Sequence, residues 1–166
     1  MADQSVVAIL TFLHIVSAMG WLGGAIFFLS TISPGVKTFT PPASLEFLTK
    51  VGPRQVRFFV GAATATIIFG LGLLFAAFGT DLSTWPMYIE TGFGLGLIAY
   101  LVALLVTVPT FNKLDKIAKQ MIANPQGGPP PPEFVKYLKR SNMAAMIVVA
   151  ILLLALIFMV SSAVYS

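Results

Sequence analysis

The chain of 166 residues has no cysteine and a single histidine. Without thiols there is no disulfide, no thiolate metal site and no covalent haem attachment through a CxxCH motif, so a bound metal must rely on His, Met, carboxylate or backbone ligands. Charge is scarce too. Charged residues make up 10% of the chain against 57% apolar, far from the balance of a water-soluble domain. The cations are also absent from particular places: neither terminus nor residues 79–86 holds a Lys or Arg. All ten lie in two stretches, with Lys37, Lys50, Arg54 and Arg57 in the first and Lys113, Lys116, Lys119, Lys136, Lys139 and Arg140 in the second.

What the chain has instead is long apolar runs. Four of them, about residues 6–32, 56–78, 88–109 and 143–164, are long enough to cross a hydrocarbon core of about 30 Å. They predict an all-α polytopic membrane protein, a single domain over residues 1–166 built as an antiparallel four-transmembrane-helix bundle. The first run is too long for a signal-peptide core and has no cation before it, so it is expected to remain in the mature protein. An excess of Lys and Arg marks cytoplasmic loops, which puts both basic stretches inside the plasma membrane and both termini outside. The net charge of +4 then meets anionic lipid headgroups rather than nucleic acid.

Two short amphipathic helices are expected at the inner surface. Prolines 41 and 42 can start one over residues 43–51, where Leu45, Leu48 and Val51 recur every three residues. Beyond Pro109 the third span should kink or restart, with Phe111, Leu114, Ile117 and Met121 on one stripe and lysines facing away. Residues 124–132, ending in four consecutive prolines, read as an extended linker.

The candidate site is in the first run, Phe12-Leu13-His14-Ile15-Val16-Ser17-Ala18-Met19-Gly20-Trp21-Leu22-Gly23-Gly24. At 3.6 residues per turn His14, Ser17, Trp21 and Gly24 share one stripe, and Gly20 and Gly24 let another helix approach closely. An imidazole within a membrane span is a candidate cofactor or metal ligand, oriented by Ser17 or by a backbone carbonyl. The alternative is a histidine satisfied by Ser17, Thr11 or a neighbouring helix. Counting about 12 Å inward from residue 6 places His14 at the depth of Gly70 and Gly72 on the second span and Gly94 and Gly96 on the third. Met159 on the fourth lies slightly nearer the surface. Helices bearing glycine at that depth predict a slot for a flat macrocycle such as haem b, with Trp21 walling its inner end. Glu90 lies near the outer boundary and is expected to be solvated.

Leu13-His14 followed by Trp21-Leu22-Gly23-Gly24 resembles the opening helix of the copper-resistance D (CopD) family and its small relatives, which include the HemJ-type protoporphyrinogen oxidases. The resemblance covers about a fifth of the chain. It implies either copper passage across the membrane or b-type haem and porphyrin chemistry, with His14 matching the family histidine. HemJ-type proteins carry a lysine within a later span; here every lysine lies in a loop or at its edge.

Three functions follow as expectations. The first is a cytochrome b-like haem protein for electron transfer or for haem handling or sensing. Its axial ligand is His14; the second position is Met159, open, or His14 of another subunit in a homodimer or larger membrane complex. The second is a copper-binding transporter or delivery protein using His14 and Met159, since soft thioether ligands select Cu(I). The third is an accessory subunit without cofactor. No second histidine and no intramembrane carboxylate pair complete a catalytic constellation, so redox carriage is the chemistry expected if haem binds.

Overall fold

The computed structural model describes residues 3–125 and 129–165, with side chains described as far as residue 161. The Asp3 carboxylate accepts from the backbone N–H of Ser5 at 2.9 Å, satisfying one of the amides that a helix start leaves open. Helix α1 (Gln4–Phe27) follows, then a π turn (Phe28–Ile32) and a last turn, α2 (Ser33–Val36). Prolines with their preset φ begin α3 (Pro41–Lys50), and only Val51 separates it from α4 (Gly52–Phe78). Gly79 ends α4 at φ 77°, in the left-handed region that other residues disfavour.

The link to α5 (Met87–Val102) is tied down locally. The Asp81 carboxylate accepts from the Ser83 hydroxyl at 2.8 Å and from the Ser83 amide at 3.0 Å, which holds this carboxyl below its usual range. Trp85 donates Nε1–H to the Gly79 carbonyl at 3.2 Å and meets Phe75 edge-on. Helix α5 runs through a second π turn (Ala103–Thr107) into α6 (Val108–Ala123), and α7 (Pro132–Tyr165) closes the chain.

Among the described residues four stretches are long and apolar enough to cross a membrane: Gln4–Val36, Pro41–Phe78, Met87–Ala123 and Pro132–Ser161. The chain is therefore an all-α, multi-pass membrane bundle. Its exposure pattern agrees, since Phe12, Met19 and Leu105 each leave 65–70% of their surface open, a state that lipid tolerates and water does not.

The third span does not restart beyond Pro109. Proline lacks an N–H and its ring clashes with the carbonyl four residues back, which should break the helix. The π turn removes the conflict by widening the helix just ahead of the ring, and Val108 donates its N–H to Ala103 five residues back. Helix α6 is thus a continuation of the span, packed against α3 and α7, rather than a separate surface helix. Pro34 is prepared in the same way, by Ser33 N–H bonding to Phe28 O. Residues 126–128 of the expected linker lie outside the described residues.

Helix α1 packs along α4 and α5 along α7, while α1 also touches α7 and α4 touches α5. The four spans meet around Trp21 of α1, which is 3% exposed, with Ala63 of α4, Ala99 of α5, and Val148 and Leu152 of α7. Alanines on two helices make room for the indole. Tyr100 stands edge-on to it at 6.5 Å, with its hydroxyl 3.0 Å from that of Thr64. The ten cations fall at the end of the bundle where α3, α4 and α7 begin and α6 finishes.

Candidate functional site

The His14 imidazole rests on α4. Its Nδ1 lies 2.9 Å from the backbone oxygen of Thr66, and because a carbonyl only accepts, Nδ1 carries the proton. In the neutral ring that leaves the lone pair on Nε2. Gly70 permits the approach: a Cβ there would stand 2.9 Å from both Nδ1 and Cε1, and 3.9 Å from Nε2. One edge of the ring is bedded in the backbone of α4, and the basic nitrogen is the part farther from it. Thr66 is itself buried and bonds its hydroxyl to Ala62 O at 2.8 Å.

Ser17 does not orient the imidazole. Its hydroxyl donates to Leu13 O at 2.7 Å, the common back-bond of a helical serine, and the Thr66 carbonyl takes the orienting role. Trp21 is no pocket wall either, since it fills the junction of the four spans. The two glycines of α1 do face α4: Gly20 meets Phe58 and Ala62, and a Cβ at Gly24 would come within 2.8 Å of the Phe59 ring.

The glycine-lined slot is filled by the chain's own side chains. His14 occupies the space over Gly70, and Leu10 lies over Gly72 at 3.5 Å. On the third span Gly94 meets nothing within 4 Å and Gly96 only Ile67 at 3.9 Å. The glycine that matters there is Gly92, where a Cβ would lie 3.0 Å from both Cγ and Cε of Met159. Each antiparallel pair therefore beds one potential ligand on a glycine, His14 in α1–α4 and Met159 in α5–α7.

No family model, curated protein or solved structure matches this chain.

Among the described residues no three His, Cys, Asp or Glu side chains gather to hold a metal. Met19, Met143 and Met146 are 55–69% exposed on the outside of the bundle, which leaves Met159 as the thioether at the depth of His14. Glu90 is exposed, as expected. The donor chemistry fits axial ligation at one position, where a protonated Nδ1 held by a carbonyl keeps the other nitrogen basic and aimed. Sequence reasoning missed Thr66, which contributes through its backbone and so carries no side-chain signal, and Gly92, which was legible only as half of a Gly92–Gly96 spacing.

Proposed function

We propose that this chain is a plasma-membrane b-type haem protein, an electron carrier or haem-handling protein, with His14 as its axial ligand, its basic loops cytoplasmic and both termini outside. The hydrogen bond from His14 Nδ1 to the Thr66 carbonyl carries this reading. Metal-ligating histidines are held by their second ring nitrogen in the same way, and an ionisable side chain within a span is a functional-site candidate; the same bond also meets the alternative of a histidine satisfied by a neighbouring helix, which belongs to the second reading below. Haem would supply one-electron chemistry, while the protein would set ligand basicity through Thr66 and exclude water through the apolar spans. The test is an absorption spectrum of the detergent-purified protein. Wild type is expected to show haem bands, and His14→Ala to lose them while keeping its helix content. A wild-type protein that stays colourless after haem addition removes the reading, and copper retained in wild type but lost with His14 assigns the site to Cu(I) instead.

A second reading is favoured by the filled glycines: His14, Leu10 and Phe59 occupy the spaces over Gly70, Gly72 and Gly24. This is an accessory subunit without cofactor, whose basic end docks a soluble partner. It predicts that a stoichiometric partner is recovered from native membranes with neither haem nor metal present. Haem in that preparation would exclude it.

A further inference from the structure

Glycines on α4 are explained by what lies over them, with Phe111 over Gly52, His14 over Gly70 and Leu10 over Gly72. Gly61 is the exception. A Cβ there meets nothing within 4 Å, although glycine in a helix interior costs about 1 kcal/mol relative to alanine. It forms the floor of a cleft of about 620 Å³ between α4 and α6, walled by Val56, Val60, Val108 and Phe111. Two polar groups lie on it, Arg57 and Asn112.

The charge on this cleft is one-sided. Arg57 is exposed and donates Nε–H to the Pro53 carbonyl at 3.4 Å, one turn nearer the start of α4, so its side chain runs toward the basic end. Ion pairs among the described residues use Lys50 with Glu46 and Lys119 with Asp115, and none uses Arg57. An apolar trough inside the span, ending in an uncompensated guanidinium and a carboxamide at the basic end, has the polarity of one phospholipid. A helix from a second copy would complement the trough but not the guanidinium.

We propose that this cleft holds one anionic phospholipid. An acyl chain lies along Val56, Val60 and Val108 over the bare backbone of Gly61, Arg57 takes the phosphate, and Asn112 donates to an ester or phosphate oxygen. The site is independent of what His14 binds. Native mass spectrometry of the detergent-purified chain tests it, after incubation with phosphatidylglycerol or phosphatidylcholine bearing the same acyl chains. Wild type should retain one phosphatidylglycerol, about fivefold in preference to phosphatidylcholine, as expected for one cationic contact near the surface. Arg57→Gln should abolish the preference and leave a lipid adduct. Gly61→Leu, whose Cβ would meet nothing within 4 Å, should fill the trough and remove both adducts while unfolding at or above the wild-type temperature. Lys136→Gln removes the same unit charge elsewhere on the basic end and should keep the preference. Equal retention of the two lipids by wild type, adducts unchanged in Gly61→Leu, or an equal loss in Lys136→Gln overturns the proposal. So does a dimer of the chain in place of a lipid adduct.

Discussion

A single methyl group added at Gly70 is expected to unseat His14. The new Cβ would stand 2.9 Å from Nδ1 and Cε1, and both the ring and the backbone of α4 beneath it are stiff, so the imidazole must lift away from Thr66. Overpacking of this kind costs about 1–3 kcal/mol, and leaving the Nδ1 donor without its acceptor costs a further 1–3 kcal/mol, roughly. Alanine returns only about 1 kcal/mol through helix propensity. Gly70→Ala is therefore expected to unfold earlier in detergent than wild type. Gly61→Ala gains the same propensity with no neighbour within 4 Å and should unfold no earlier. The difference between the two variants isolates the His14 contact. If His14 ligates haem, Gly70→Ala should also lose haem bands with the histidine still present. Equal melting of the Gly70 and Gly61 variants would mean that the imidazole is not seated on α4.

Truncating Trp21 is expected to be the most damaging change in the chain. Large aromatic-to-alanine changes in packed interiors cost about 3–5 kcal/mol, because neighbours collapse only partly into the space. Here the neighbours come from all four spans, and two of them, Ala63 and Ala99, are too small to reach inward. Tyr100 would lose its edge-on partner as well. Leu22 is only partly buried beside the same cluster, so Leu22→Ala should cost about 1–2 kcal/mol. Unfolding titrations of the two variants in mixed detergent micelles measure the gap, and similar midpoints would contradict a central role for the indole. Trp21→Phe should recover most of the loss.

The spans were legible because their signal is summed over some twenty residues each, and an uninterrupted apolar run of that length satisfies its own backbone in lipid as a helix. The facing of the His14 stripe toward a glycine-bearing neighbour was legible for a related reason, since helical periodicity and depth counting are both fixed by a rise of about 1.5 Å per residue. Depth alone matched His14 to Gly70 correctly. It failed on the third span, where Gly94 points away from Gly92 and Gly96, and of the two glycines that nearly share a face only Gly92 lies beneath Met159. Rotation about a helix axis is set by packing, which depth does not contain. The role expected for Ser17 failed because its hydroxyl has an acceptor on its own helix, the Leu13 carbonyl. The continuity of the third span was hidden because a proline reads as a break unless the backbone ahead of it is known.

The π turn at Ala103–Thr107 is in effect an accommodated insertion. One residue more than an α-helix needs is held there, so everything after it is rotated about the helix axis by about 100° relative to a straight extension of α5. That rotation aims Thr110, Leu114 and Ala118, the buried residues of α6, at its neighbours α3 and α7. A chain shortened by one residue within the turn would heal into uninterrupted α-helix with each downstream side chain still facing the surface it now meets, and what it would lose is the room the turn makes for the Pro109 ring. Length variation among homologues should therefore be tolerated in pairs, one residue lost in the turn together with Pro109 replaced, with the α6 pattern kept. The same deletion four residues earlier, among the side chains that meet Trp21, has no such repair.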